Sequence, residues 1–185
     1  MLFRNFYNVY PKFRLYMSQV ILRQWKREDA QQLALIANNR NIWNNVRDRL
    51  PSPYTVMDAL QWINHCLSEK PHLNFAIECE HKVVGSIGCV LKDDVYRKNV
   101  EIGYFIGEPY WGNGIATAAV KEMLAYIQKQ FNVIRIYAEV FEHNKASMKV
   151  LRKNGFYLES IRRKAAIKNN AIIDDYIWVK LLVNG

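Results

Sequence analysis

Apolar positions along the chain change period several times, and each change marks an element. Val20 to Trp25 reads as a strand, and "REDAQQLALIANN", Arg27 to Asn39, reads as a helix whose acidic opening suits the positive end of its dipole. A polar, turn-rich stretch then runs to Pro53. Thr55 caps a second helix, with Val56, Ala59, Leu60, Ile63 and Leu67 on one face, Asp58 three residues after the cap, and Pro71 closing it. Beyond Pro71 the period drops to two. "LNFAIECE" and "KVVGSIGCVL", joined at His81, predict a β-hairpin, and Asn99 to Gly107 alternates as a third strand of the run.

The segment "PYWGNGIATAAV", residues 109–120, places Gly112 and Gly114 in a turn that leads directly into a helix. That helix carries Ala116, Ala119, Val120, Met123, Leu124, Ile127 and Phe131 on one face. Val133 to Val140 predicts a strand, Asn144 caps a short helix to Lys153, and Gly155 stops it. Two last strands are expected at Phe156 to Arg163 and Ile172 to Leu182. The order predicts an α/β fold, a mixed and mostly antiparallel sheet of about seven strands flanked by about four helices. The helix between strands four and five permits one parallel pair.

Composition narrows the class. Half of the residues are hydrophobic and 23% are charged, so disorder is not indicated, and no apolar run approaches the ~20 residues of a membrane span. Cys66, Cys79 and Cys89 lack metal or disulfide spacing and read as buried, reduced thiols of a cytoplasmic protein. His65, His72, His81 and His143 show no ligand spacing, so no metal is expected. The net charge of +9 suits anionic partners without choosing among nucleic acid, membrane and a phosphorylated ligand. Arg162, Arg163, Lys164 and Lys168, the densest basic group, read as a solvated face. Residues 1–18, basic and aromatic, read as an extension before a domain over 19–185. They leave open an organelle-targeting segment or a start at Met17.

A helix that begins in a glycine turn leaves unpaired amides and the positive end of its dipole open to an anion. Glycines can equally mark a turn that needs positive φ. What favours the anion is the wider pattern: "EIGYFIGEPYWGNGIATAA" followed by "NKASMKVLRKNGF" resembles the GNAT superfamily of acetyl-CoA-dependent N-acetyltransferases, in its RimJ/RimL-like branch. The likeness runs from about Val20 to Val183.

It implies that acetyl-CoA is the cosubstrate, with its pyrophosphate over Trp111, Gly112, Asn113, Gly114, Ile115, Ala116 and Thr117. Trp111 stands where the family usually has Gln or Arg. The resemblance also implies that strand four splays from strand five around Tyr104, Phe105 and Ile106 and lends main-chain groups to the pantetheine arm, one of which could stabilise an oxyanion. Asn144 matches the residue that reaches the pantetheine.

Glu101 matches a position that often carries the proton acceptor, although a strand Glu is commonly just solvated or ion-paired. Glu139 and Asp175 are further carboxylates of the same kind. The family's usual acid, a Tyr seven residues after the Asn, is Leu151 here, and Ser147 matches a Ser that this branch uses as donor to sulfur or as a small residue beside the cofactor. The expected activity is acetyl transfer by direct attack of a primary amine within a ternary complex. The acceptor is the α-amine of a protein N-terminus or amino acid, bordered by Asn41 to Thr55. No membrane or nucleic acid is needed, and the protein is expected as monomer or homodimer. The alternative class is a non-catalytic module of the same fold that binds acetyl-CoA, RNA or the ribosome.

Overall fold

A computed structural model of the chain describes residues 19–182; the extension expected over 1–18 lies outside the described residues. Seven strands form one sheet in the order β1-β2-β3-β4-β5-β7-β6. They are β1 (Val20–Arg23), β2 (Asn74–Cys79), β3 (Lys82–Leu91), β4 (Asn99–Ile106), β5 (Arg135–Phe141), β6 (Tyr157–Lys168) and β7 (Ala171–Leu181). Every neighbour pair is antiparallel except β4 and β5, as the intervening helix predicts. The α-helices are α1 (Ala30–Ala37), α2 (Arg40–Trp43), α3 (Val56–Ser68), α4 (Ile115–Gln130) and α5 (Lys145–Lys153).

The predicted start signals act as written. Thr55 Oγ1 accepts from the Asp58 amide while the Asp58 carboxylate accepts from the Thr55 amide, a reciprocal box that opens α3. Asn144 Oδ1 accepts from the Ser147 amide and opens α5. Gly155 stops α5 in the left-handed region at φ +80°.

Three expectations change. The helix expected over Arg27 to Asn39 is a 3-10 turn (Arg27–Asp29) followed by the shorter α1. Inside the stretch expected to be irregular, the one-turn α2 forms because the Asn39 side chain accepts from the Asn41 and Ile42 amides. β6 continues five residues past Arg163, through an irregularity around Lys164 at φ +52°. Its far end meets β7 at Asn169-Asn170, both left-handed, a conformation Asn tolerates in tight hairpins.

Alternation along the strands sends side chains to two cores, one on each face. On one face Ile77, Val84, Ile87, Val100, Ile102 and Ile136 pack under α4 and α5, with Met123, Ile127 and Leu151 filling the layer. On the other, Trp25, Ala76 and Val83 pack under α1 and α3, with Leu33 and Ile63. Leu151, which replaces the family's Tyr, is fully buried between α5 and the sheet. We expect Leu151→Ala to destabilise the protein by about 2–5 kcal/mol through lost burial and a residual cavity, read as a lowered midpoint in denaturant unfolding; an unchanged midpoint would contradict this packing.

Candidate active site

The site begins where a strand pair stops. β4 and β5 are paired only at Asn99↔Arg135, Val100↔Ile136 and Glu101↔Tyr137, and beyond Glu101 no bridge joins them. Each strand is otherwise occupied on its outer edge: β4 pairs with β3 as far as Ile106↔Gly85, and β5 pairs with β7 along its whole length. The divergence is therefore held from both sides.

Hydrogen-bond parity decides which main-chain groups are left over. The Gly107 amide donates to the Val84 carbonyl and the Lys92 amide to the Asn99 carbonyl, so the odd residues of β4 face β3 and the even residues face the fork. Tyr104 and Ile106 thus present main-chain groups to the gap. Phe105, grouped with them by the sequence reading, turns its own toward Ser86 on β3 and packs its ring against the α1/α3 core. The Ile106 carbonyl is already taken, since Trp111 Nε1 donates to it at 2.6 Å. The indole thus latches the glycine turn to the end of β4 while Trp111 stays about half exposed.

Past Trp111 the chain turns through Gly112 at φ +81° and Gly114 at φ +76°, a backbone region that strains residues carrying a Cβ. A Cβ added at either position would meet no protein atom within 4 Å, so the space in front of the turn is open. α4 starts at Ile115 with Gly114 as its N-cap and no side-chain cap. The amides of the first turn, Ile115 to Thr117, point into that space. The Asn113 side chain instead folds back to the Tyr110 carbonyl. Left-handed glycines, uncapped amides and open volume fit a phosphate-bearing ligand.

On the α5 side of the fork, Tyr104 Oη lies 2.9 Å from Ser147 Oγ. Burial pushes the Tyr104 phenol up to about 12, against a smaller lowering by the Ser147 hydrogen bond, so it keeps its proton at neutral pH. Asn144 uses its oxygen to cap α5, leaving its Nδ2 donor without a partner among the described residues. Sequence reasoning did not assign the Tyr104 hydroxyl. The signal was present in the alternation Ile102, Tyr104, Ile106, which sends this side chain toward α4 and α5.

The opposite face carries the charge. Glu101 accepts from Lys92 Nζ at 2.8 Å, from Arg47 and, at 3.3 Å, from Tyr137 Oη. Arg47 also reaches Glu139 at 2.8 Å; Arg162 joins Glu139 at 2.7 Å and Asp175. Three carboxylates and three cations thus form one chain across β3 to β7, with no net charge.

Burial alone would raise the Glu101 carboxyl, but the Lys92 hydrogen bond and the charges of Arg47 and Lys92 outweigh it and leave it below its ordinary value. A carboxylate held down in this way is a poor proton acceptor, which counts against the role expected for Glu101. Nor are Glu101 and Ser147 brought together, because residues 101 and 104 of one strand point to opposite faces. Asp175 is almost fully buried, with Oδ1 unpartnered, and is a strut of the chain rather than a reactive group.

Both faces open into one cleft of about 1190 Å³ that passes through the fork. Asn45, Arg47, Arg49, Leu50 and Tyr54 border it, as expected of the Asn41 to Thr55 segment. That segment is held from several directions. Trp43 Nε1 donates to the Leu50 carbonyl at 3.0 Å, and the indole lies between Arg40 and Lys168. Lys168, nearly fully buried, pairs with Asp48 at 2.5 Å. Asn39 and Asn41 donate to Glu108, and Asn169 donates to Asn44. Of the basic group read as a solvated face, Arg162, Arg163 and Lys164 are exposed as read, the first two in ion pairs with Glu139, Asp175 and Asp174; Lys168 is the correction, buried and paired with Asp48.

Among the described residues no helix is long and apolar enough to cross a membrane, and no three His, Cys, Asp or Glu side chains are grouped as a metal site requires. The three cysteines are buried and unpaired. A family model described as an acetyltransferase (GNAT) domain matches residues 19–157. The chain is 28% identical to the uncharacterised N-acetyltransferase p20 of Bacillus licheniformis, over 89% of this chain and 93% of that protein. It is 25% identical to the L-amino acid N-acetyltransferase AaaT of Escherichia coli K12, over 89% and 99%. Its fold is similar to that of Mycobacterium smegmatis RimJ in complex with CoA-disulfide, with a TM-score of 0.79 at 22% identity over 89% and 83% of the two chains. The protein belongs to the GNAT acetyltransferase family and is an N-acetyltransferase with acetyl-CoA as its cosubstrate.

Proposed function

We propose that the protein acetylates the α-amine of an amino acid or of a peptide N-terminus, with acetyl-CoA and acceptor bound together on opposite sides of the β4/β5 fork. The observation that carries this is the fork itself: β4 and β5 part after Glu101, with the glycine turn and the uncapped start of α4 beyond the end of β4 and a cleft lined by Arg47, Glu101 and Glu139 on the opposite face. AaaT, a relative along nearly its whole length, is named for action on L-amino acids, which supports the acceptor class.

Acetyl-CoA supplies the thioester whose acetyl group is transferred. The amides of Ile115 to Thr117, in the space left by Gly112 and Gly114, hold its pyrophosphate, with Trp111 and Asn113 shaping the turn. Tyr104 and Ile106 offer main-chain groups to the pantetheine arm, and Asn144 Nδ2 adds a donor from α5. An amide of the fork serves the carbonyl oxygen as negative charge develops there, a contribution of about 3–4 kcal/mol in comparable acyl-transfer sites.

An α-amine has a pKa near 7.7–8.0, so a useful fraction is already neutral near pH 7 and no strong base is required. Glu101 then keeps its ion pairs and shapes the acceptor side. As the tetrahedral adduct collapses, its nitrogen gives up a proton to water in the cleft; the departing thiolate, of pKa about 8.5 if it behaves like a cysteine thiol, takes a proton from Ser147 Oγ, Ser147 takes one from Tyr104 Oη across their 2.9 Å contact, and water returns a proton to Tyr104.

A screen of N-terminal peptides, free amino acids and polyamines, read as acetyl-CoA-dependent release of free thiol, should give the highest kcat/KM with an α-amine; a polyamine ahead of every α-amine overturns the acceptor class. Tyr104→Phe and Ser147→Ala should each lower kcat by about tenfold or more with little change in acceptor KM, and the double variant should lose no more than the worse single one, as for groups acting as a unit. Additive losses would separate the two hydroxyls. Gly114→Val should weaken coenzyme A binding by about tenfold or more, the consequence of about 1–3 kcal/mol of left-handed strain in the turn; calorimetric titration that returns the parental affinity would remove the pyrophosphate from this turn.

A further inference from the structure

Among the described residues, Arg47 is the one member of the Asn41 to Thr55 segment whose ion pairs join that segment to the fork, and it does so by standing between two carboxylates of neighbouring strands. Glu101 is at the last paired position of β4, and Glu139 lies two residues beyond its partner Tyr137 on β5. Both face the acceptor side. Without Arg47, Glu101 would keep Lys92 and Glu139 would keep Arg162, but the place between them would be ringed by carboxylate oxygens and open to the cleft.

The arginine side chain is 54% exposed, whereas those of Glu101 and Glu139 are 12% and 21% exposed. The fixed partners are thus the carboxylates, and the cation is the part that reaches in from outside. A free ammonium group has the charge and donors to take the same place.

We propose that Arg47 sets the acceptor selectivity of the enzyme. Its guanidinium fills the carboxylate pair at the fork, which denies that pair to the second charge of a diamine or polyamine and leaves the cleft to acceptors with a single amine. This rests on the α-amine reading above and deepens it. The charge balance has a second effect in the same direction. With Arg47 in place the six charged groups cancel, so the fork does not hold an arriving amine in its protonated, unreactive form; with Arg47 gone, the surplus negative charge favours bound ammonium.

The segment does not depend on Arg47 for its position. Trp43 is tied to Leu50 and stacked on Lys168, Asp48 is paired with Lys168, and Asn39 and Asn41 are tied to Glu108. Removing Arg47 should open the carboxylate pair rather than release the loop.

The experiment compares the parent with Arg47→Ala and Arg47→Gln. In steady-state assays the ratio of kcat/KM for putrescine to that for an α-amine acceptor should rise by about tenfold or more in both variants, the scale of one close charge pair. Millimolar methylguanidinium should bring the ratio in Arg47→Ala back toward the parental value. A ratio that stays at the parental value, or falls, overturns the proposal. So does a parental ratio in Arg47→Gln alone, because the charge would then not be the determinant. Binding is read separately by calorimetry with putrescine on the full chain without coenzyme A. Arg47→Ala should bind it about tenfold more tightly than the parent, and Arg47→Ala with Glu139→Gln should lose that gain. Equal affinities for parent and Arg47→Ala overturn the proposal whichever amine is turned over. Failure of the parent to acetylate any α-amine overturns the acceptor reading and leaves this binding comparison to decide the role of Arg47.

Discussion

Everything distinctive about this molecule follows from a parallel ladder that ends after three bridges. Main-chain N–H and C=O groups at the centre of a sheet are normally paired, and leaving one without a partner in a buried place costs about 1–3 kcal/mol. β4 and β5 nevertheless part after Glu101 and Tyr137, because β3 holds one and β7 holds the other along nearly their full lengths. The fold satisfies one of the exposed groups itself, by turning the Trp111 indole onto the Ile106 carbonyl. The others remain for a ligand. The same indole fixes where the chain leaves β4, hence where Gly112 and Gly114 turn and where the first amides of α4 emerge. Opening the sheet and placing the anion-binding turn are two results of one constraint.

The acceptor side is governed by charge rather than by hydrogen-bond parity. Lys92, Glu101, Arg47, Glu139, Arg162 and Asp175 alternate in sign and run from the end of β3 through the segment before α3 and across β4 to β7. Ion pairs exposed to water contribute little to stability, about 0–1 kcal/mol each. Their importance here is electrostatic balance. A surplus of either sign in a half-buried cleft would shift the protonation of an incoming amine, and the alternation holds that surplus at zero. The same balance explains why Glu101 is unsuited to accept a proton: the cations that neutralise it also hold its carboxyl below the ordinary value.

Local chemistry was readable from the chain and long-range chemistry was not. The Thr55 box, the Asn144 cap and the Gly155 stop each depend on residues within three or four positions, and all act where the pattern places them. Period-two alternation located β2, β3 and β4, and the glycine turn before α4 was evident from Gly112 and Gly114. α2 escaped because a single turn has no period; it forms on the Asn39 side chain within a polar stretch. Lys168 was misread for a different reason: it meets Asp48 across 120 residues, so composition alone left it looking solvated like its exposed neighbours Arg162, Arg163 and Lys164. The Tyr104 hydroxyl and Arg47 belong to the same class, since their partners lie 43, 54 and 92 residues away.

Leu151, at the position where the family resemblance leads one to expect a Tyr, bears on the proton transfer proposed above. A phenol on α5 would enter from beside the cofactor, but this chain has made that position a fully buried core contact, where an unpaired hydroxyl would be costly. Tyr104 approaches the first turn of α5 from β4 instead, and its hydroxyl meets Ser147 there. A phenol whose pKa burial has raised to about 12 is a weak acid, and its anion would not persist, so in the proposed reaction Tyr104 passes a proton along to Ser147 and regains one from water. The thiolate asks for no more, because with a pKa of about 8.5 it leaves readily and needs protonation only in a concerted or following step. In the proposed reaction, a weak donor on the thiol side and a balanced chain of ion pairs on the amine side both suit an amine that is already partly neutral when it arrives.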